Sequence, residues 1–572
     1  MNIAHIWKLV LRVNTTWKIL FLCSLNLLFM HYNFFYADCI ENEFNITTII
    51  DNILGIAIDV TFLFLFLYVV IRKHIKIGLT IIFGATLFWS FSNVLYSRFF
   101  HHYISLSAIG QGGTLFDPEI LRCIVNGFRW TDLYYIICAC IFFLLVKNVQ
   151  PVSRIITKVL FLLLIVVGID ICSYLIYCSI TPEYRHIGFF IQRVRHRQLS
   201  DHLHLCDPNN AVFRRGCIRT LLYESYLDFQ GTTKLSDEQR KQISNEIEKA
   251  QSRISKIKDV NSNNIIFILV ESYMSFTSDM TVNGREVTPF LNSLKRDTTV
   301  YFNGKMHENV TIGESSDGQF IYMTGLLPLR SLITVSKARS ITLKGLPKVL
   351  GRESQMVIPT VTSMWDQDEM CRQYGFNYLY ASNDFEEGYH RNLNDEQVFQ
   401  LAMQKDKDLK QPFFSVILTF SMHQPYTKLI DSTFPITDLS MPQDLICYLN
   451  ACHYTDKQIE AYFNHLKRTG LYDNSMIVIV SDHSVHNTDF GGVRKDIPLY
   501  IVNRPMKYQN KIWEGECNQI DVYTTMLDLL GVNCDWYGLG QSLLSPNYHF
   551  IIDSKKWDVS EWIIRGDYFN MN

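Results

Sequence analysis

The sequence predicts an α/β protein in two parts: an N-terminal five-helix transmembrane domain, then an extracytoplasmic domain with a mostly parallel central sheet flanked by helices. Three observations predict it. Five apolar stretches lie within the first 180 of 572 residues. From residue 264 onward, short and continuously apolar β-branched runs alternate with helical patterns. Lys and Arg collect between alternate apolar stretches, as the positive-inside rule requires of a chain threaded through a membrane.

The apolar stretches are Ile19–Ala37, Ile53–Ile71, Ile77–Tyr96, Leu133–Val146 and Val159–Ile180. A membrane-crossing helix needs about 20 apolar residues. The fourth stretch reaches that length only if it begins near Phe128 and hides Arg129 or Asp132 at the interface. Five such segments in succession are too many for the buried core helices of a soluble domain. Lys8, Arg12 and Lys18 precede the first span, Arg72, Lys73 and Lys76 lie between the second and third, and Lys147, Arg154 and Lys158 between the fourth and fifth. The loop after the first span carries Asp38, Glu41, Glu43 and Asp51 and no basic residue. The N-terminus is therefore expected inside the cell membrane and everything after about residue 180 outside. The first stretch lacks the small-residue cleavage site of a signal peptide. Asp59 and Asp170 fall within spans, where charge is costly, and are expected to face the helix bundle.

Composition narrows the partners. A formal net charge of −2 gives no basic surface for nucleic acid. Of the fourteen cysteines, Cys39 and Cys123 fall in expected outer loops and Cys206 and Cys217 in the outer segment, where disulfides are permitted but their pairing is not readable. The predicted organisation is 1–180 transmembrane, 181–260 juxtamembrane connector and linker helix, and 261–572 catalytic domain. Residues 181–235 are irregular and basic, a solvated connector or a surface for anionic headgroups; His202 and His204 form an isolated HxH, a weak metal signal. The mixed charges of 236–256 suggest an exposed connecting helix.

Strands are expected at 264–270, 356–364, 413–420 and 475–481, with helices at 288–296, 340–352, 395–405, 455–469 and 521–531. In such sheets a site lies beyond the carboxyl ends of the strands. Glu271 follows the first strand, Trp365 and Asp366 the second, Ser421 and His423 the third, and Asp482 with His483 the fourth. Two carboxylates and an imidazole suit a divalent cation, Mn²⁺, Zn²⁺ or Mg²⁺. Such a cation lowers the pKa of a nearby hydroxyl and so activates a weak serine nucleophile.

The stretch "GESSDGQF", 313–320, opens a helical segment with two serines. Ser316 and Gln319 have the spacing of a capping box, which makes Ser316 the structural serine and leaves Ser315 beside the free N–H groups of the first turn. By itself the segment also fits a helix start in which both serines are structural. Arg494 and Lys495 precede a further expected strand and are candidates for binding phosphate; His453 and His486 are expected either to line the cleft or, as the plainer reading, to lie at the surface.

These residues resemble a known family. "FILVESYMSF", "TPFLNSL", "GESSDGQF", "SMWDQDEM", "LTFSMHQPY", "VIVSDHS" and "QIDVYTTMLDLLG" are similar to the sulfatase-like domain of lipoteichoic acid synthases and membrane phosphoglycerol transferases, in the alkaline phosphatase superfamily. The resemblance implies Ser315 as nucleophile and Glu271, Asp482 and His483, with Ser315 itself, around a metal, Mn²⁺ above all. It implies His423 and Trp365 as substrate contacts, and His423 is also expected as a catalytic residue that holds the phosphate or assists proton transfer. The family's Trp-x-Arg headgroup contact falls on Trp365 and Gln367, so its arginine is missing here, and serine stands where lipoteichoic acid synthases have threonine. The formylglycine pattern of true sulfatases is absent, since "SSDGQ" lacks its proline and arginine. The expected function is a membrane phosphotransferase. It takes a phosphoglycerol or phosphoethanolamine headgroup from a membrane phospholipid through a phosphoserine and passes it to a glycan or lipid acceptor. A phosphodiesterase of the same fold and a catalytically silent scaffold are the alternatives.

Overall fold

The computed structural model describes residues 15–36, 46–70, 74–100, 102–105, 125, 127–149, 208–229, 232–254, 263–330, 332–362, 364–385, 392–436, 440–486, 490–505, 512–551 and 554–570. The chain divides into two compact units, Met1–Phe229 and Gln230–Asn572.

The first unit is helical. Helices Thr15–Tyr36, Ile46–Val70, Ile75–Phe100 and Leu133–Val146 cover the first four apolar stretches of the sequence. Their inner faces bury Ile19, Cys23, Met30, Phe34, Leu79 and Phe142 together. Their outer faces are apolar as well: Phe21, Phe66, Phe88, Ile136 and Leu144 are exposed. A helix apolar on every side is buried or lies in lipid. Among the described residues one helix, Ile75–Arg98, is long and apolar enough to cross a membrane, and Trp130–Val146 is shorter. The fifth expected span, Val159–Ile180, lies outside the described residues, as do Asp170, His202, His204, Cys39, Cys123 and Cys206.

The fourth helix, with the 3-10 turn that leads into it, begins at Trp130, close to the start expected near Phe128. A 3-10 turn, Trp130–Asp132, precedes it, and Asp132 takes a bidentate ion pair from Arg98 at 2.7 and 2.8 Å. The charge of Asp132 is thus paired and buried. Asp59 is buried and accepts the N–H groups of Cys217 and Ile218 at 2.6 and 3.1 Å, so it caps the helix Cys217–Phe229. Cys217 forms no disulfide among the described residues.

The second unit begins earlier than the expected boundary at 261. The helix Asp237–Arg253 starts in a capping box between Ser236 and Gln239 and belongs to this unit. Ile243 and Ala250 on one of its faces are buried, and it packs against the helix Ser554–Gly566. The helix expected as an exposed connector is thus half inside.

The strands in chain order are β1 (Asn264–Val270), β2 (Thr281–Val282), β3 (Arg285–Glu286), β4 (Tyr301–His307), β5 (Glu353–Val357), β6 (Tyr378–Tyr380), β7 (Phe413–Leu418), β8 (Ser475–Ser481), β9 (Ile497–Val502) and β10 (Cys517–Asn518). The two short strands β2 and β3 pair as a hairpin, and the others form one eight-stranded sheet in the order β10-β4-β9-β8-β1-β7-β5-β6. Pairing is parallel from β8 to β6 and between β10 and β4; β9 runs antiparallel to both β8 and β4. The central strands β1 and β8 are buried along their whole length, which explains their unbroken apolar sequences. The strand expected at 356–364 is displaced to Glu353–Val357, ahead of Pro359, which has no N–H for a ladder. The helix expected at 455–469 begins at Gln443 and runs to Arg468.

Candidate active site

Register brings the chemistry together. Val270 pairs with Ser481, and Leu269 with both Val480 and Leu418. Glu271, Asp482 and Thr419 therefore leave adjacent parallel strands at one edge. Thr419 Oγ1 accepts the N–H of Glu271 at 3.0 Å. The N–H groups of Ser272 and His483 both donate to Asp482 Oδ1, at 2.9 and 2.7 Å. His483 Nδ1 lies 2.6 Å from the carbonyl of Ser484. A carbonyl can only accept, so Nδ1 carries the hydrogen and Nε2 is the inward nitrogen. Nε2 sits 3.6 Å from Glu271 Oε1 and 3.6 Å from Asp482 Oδ2.

The helix Ser315–Thr324 points its first residue into this edge. Ser315 Oγ lies 3.0 Å from His483 Nε2 and 3.3 Å from Glu271 Oε2. The helix approaches so closely because Gly318 has no side chain: a Cβ there would lie 2.3 Å from the backbone oxygen of Asp482.

Ser316 is not the cap. The helix cap is Glu314, with φ 40° and ψ −112°, a conformation that costs an L-residue on the order of 1–3 kcal/mol. Ser316 Oγ donates backward to the carbonyl of Gly313 at 2.8 Å. The side chain that organises the preceding loop is Asp317, whose Oδ2 accepts Thr311 N–H, Thr311 Oγ1 and Gly313 N–H. Burial pushes the Asp317 carboxyl up to about 6 in spite of these donors. Gln319, the expected partner of Ser316, instead exchanges two hydrogen bonds with Gln367 at 3.1 and 2.9 Å.

Electrostatics make the pocket a trap for positive charge. Burial pushes the Asp482 carboxyl upward, and the neighbouring Glu271 charge acts in the same direction. For His483 burial disfavours the charged ring, but the two carboxylates outweigh it and push its pKa up to about 9. Ligand atoms of Glu271, Asp482 and His483 all lie within 4.8 Å of one another. Two hard oxygens and one imidazole nitrogen, already concentrated and mutually repulsive without a cation, fit Mn²⁺, Zn²⁺ or Mg²⁺.

The other expected residues lie apart from this cluster or are engaged elsewhere. His423 is exposed on the loop after β7; its ring stacks on Phe420, and its Nδ1–H donates to Gln424 O at 2.6 Å. Trp365 is half-buried in a left-handed turn, φ 53°. Gln367 is buried, and its amide is committed to Gln319 rather than to an open face. Arg494 is exposed and ion-paired with Asp496 and Glu516 at 2.5 Å each. His453 is neither at the surface nor in the cleft: it is buried, stacked on Phe434, and donates to Val287 O.

Of the two positions expected for His486, the structure has the one by the cleft and not the surface: it lies between Glu308 and Glu314, its ring stacked 5.2 Å from that of His483. Burial opposes its charge, yet Glu308 and Glu314 hold its pKa well above the usual range. Glu308 follows β4, a strand not expected from sequence because "YFNGKMH" has no continuous apolar run and contains a glycine, although its polar and apolar residues alternate. That alternation, Tyr301, Asn303, Lys305 against Phe302 and Met306, was the available signal.

Comparison with known proteins covers the same region. The family model described as Sulfatase matches residues 263–532. Lipoteichoic acid synthase 2 of Bacillus subtilis is 27% identical over 520 residues, covering 82% of this chain and 74% of that protein. The lipoteichoic acid synthase of Staphylococcus aureus strain USA300 is 25% identical over 523 residues, covering 85% and 77%. Among solved structures, the integral membrane lipooligosaccharide phosphoethanolamine transferase A of Neisseria meningitidis aligns over 90% of this chain and 95% of its own, with TM-score 0.51 and 14% identity, a likeness of fold.

Proposed function

Because residues 263–532 form a domain of the sulfatase family, we propose that this protein is a membrane phosphotransferase. It moves a phosphoglycerol or phosphoethanolamine headgroup from a membrane phospholipid to a glycan or lipid hydroxyl. The single observation that carries the reading is Ser315 Oγ at the mouth of its helix, 3.0 Å from His483 Nε2 and 3.3 Å from Glu271 Oε2. The names of the relatives in Bacillus subtilis and Staphylococcus aureus support the same reaction class. The N-terminal helices are read as the membrane anchor, with residues 261–572 on the outer face of the cell membrane.

Glu271, Asp482 and His483, with Ser315, would hold one divalent cation, Mn²⁺ first, which when bound lowers the pKa of a hydroxyl and offsets phosphoryl charge. Ser315 Oγ attacks the phosphorus of the lipid phosphodiester. The Ser315 O–P bond forms, the P–O bond to diacylglycerol breaks, and the serine proton leaves with the diacylglycerol oxygen. The positive end of the Ser315 helix favours the charged transition state. An acceptor hydroxyl then attacks the same phosphorus, its oxygen replaces Ser315 Oγ, and its proton returns to the serine. His423, exposed on its loop, and Trp365 are read as contacts to the headgroup. Gln367 and Arg494, both engaged within the protein, are read as supports of the loops that carry such contacts.

The test uses the full chain in vesicles of phosphatidylglycerol and phosphatidylethanolamine carrying labelled headgroups, with Mn²⁺ added. Diacylglycerol release and headgroup label on Ser315 are expected, and both vanish in Ser315→Ala. A Ser315→Ala protein that releases diacylglycerol at the wild-type rate defeats the assignment. Label that passes only to water, with acceptor present, makes the protein a hydrolase instead.

A further inference from the structure

Between the two halves of the site runs a connection that the ligand set does not use. Glu308 accepts both the N–H and the hydroxyl of Ser484, the residue after His483, the hydroxyl at 2.9 Å. Glu308 Oε1 then meets His486 Nε2 at 2.9 Å. The opposite ring nitrogen, His486 Nδ1, meets Glu314 Oε1 at 3.4 Å. Glu314 is the strained residue, φ 40°, that immediately precedes Ser315. Ser484, Glu308, His486 and Glu314 thus join the strand end carrying His483 to the residue that aims the nucleophile.

We propose that His486, clamped between Glu308 and Glu314, is a positioning residue that holds the strained Glu314 backbone and so keeps Ser315 aligned against His483 and Glu271. Three features carry this. The two carboxylates take opposite nitrogens of one ring, so the three side chains do not converge on a point where a second cation could sit; they form a strut. One end of the strut, Glu314, is next in sequence to the nucleophile, and the other, Glu308, holds Ser484, which is next in sequence to the ligand His483. And backbone held in a sparsely populated conformation persists only where its surroundings over-determine it; the Glu314 side chain reaches His486 while its carbonyl accepts Gly318 N–H at 2.9 Å.

The turnover arm of the test rests on the proposed function; the exchange arm does not. Amide hydrogen exchange is followed in the full chain in detergent, without metal and with Mn²⁺, for wild type, His486→Ala and His486→Gln. Exchange over residues 311–318 is expected to quicken in His486→Ala and to be partly restored in His486→Gln, while β1 and β8 stay protected. Diacylglycerol release from vesicles of phosphatidylglycerol and phosphatidylethanolamine is expected to lose roughly 10–100-fold in kcat with little change in KM, again with partial rescue by Gln. Wild-type exchange over 311–318 in His486→Ala overturns the strut, whatever the turnover. Altered exchange with no turnover by any variant, wild type included, sustains the strut and sinks the function. If His486→Ala does not fold, Glu314→Gln is the second variant: it weakens one arm only, and quickened exchange over 311–318 sustains the proposal while unchanged exchange overturns it.

Discussion

Gly318 lies directly against the backbone carbonyl of Asp482, so that a Cβ on the glycine would sit 2.3 Å from that oxygen. The contact sets the distance between the Ser315 helix and the β8 strand end. The obstacle is main chain, which cannot rotate away. Gly318→Ala is expected to push the helix outward, cost about 1–3 kcal/mol of stability by overpacking, and remove most turnover although every ionisable site residue is intact. Denaturant unfolding paired with diacylglycerol release checks it. A variant with wild-type stability and rate would mean the helix is free to move.

The buried carboxylates predict cation-dependent stability. Wild type should gain about 2.7 kcal/mol when Mn²⁺ is present at 100 times its dissociation constant. Glu271→Gln and Asp482→Asn should lose most of that gain. The measurement is thermal unfolding in Mn²⁺ against chelator. Equal gains in wild type and both variants would place the cation elsewhere.

Ser316 and Gln367 support the nucleophile helix from two sides. Ser316→Ala removes one buried hydrogen bond to Gly313 and should cost about 1 kcal/mol. Gln367→Ala strands the buried amide of Gln319 and should cost about 1–3 kcal/mol. Urea unfolding reads both. The ordering matters most: a Gln367→Ala protein as stable as wild type would show that water replaces the amide pair without loss.

Stability should also fall with pH through Asp406, remote from the site. Burial pushes its pKa up to about 6 from the ordinary 3.8, against hydrogen bonds from Gln355, Ser415 and Tyr462. Between those values the folded state keeps a proton that the unfolded chain has already released. This contribution is present below pH 4 and is lost as pH rises to about 6, up to about 3 kcal/mol in all. Asp406→Asn, always neutral, should lack that fall. Unfolding free energies of wild type and variant at pH 4.5 and pH 7 give the comparison; a difference between the two proteins that does not change with pH would refute it.

Much of the site was legible in sequence because parallel central strands are buried on both faces. Their residues must be continuously apolar, so "NIIFILV" and "SMIVIVS" declare both their bounds and the polar residues that follow them, Glu271 and Asp482-His483. Local spacing failed where a side chain's partner comes from far along the chain. Ser316 and Gln319 have capping-box spacing, yet Gln319 is taken by Gln367, 48 residues away. The same spacing at Ser236 and Gln239 does form the box. The difference is burial: an exposed helix start has only its own side chains to satisfy it, whereas a buried one is offered others.

Continuous apolar runs and the polar residues that end them encode the α/β class and the order of the central strands' chemistry along the chain, and the family motif singles out Ser315 from the pair of serines. Tertiary packing fixes that Glu314 and not Ser316 caps the Ser315 helix, that Gln367 supports this helix, and that Glu308, His486 and Glu314 meet. Those outcomes depend on strand register and on how near one backbone can come to another, as at Gly318. Such distances are set by packing between segments far apart in the chain, and no spacing within a single segment encodes them.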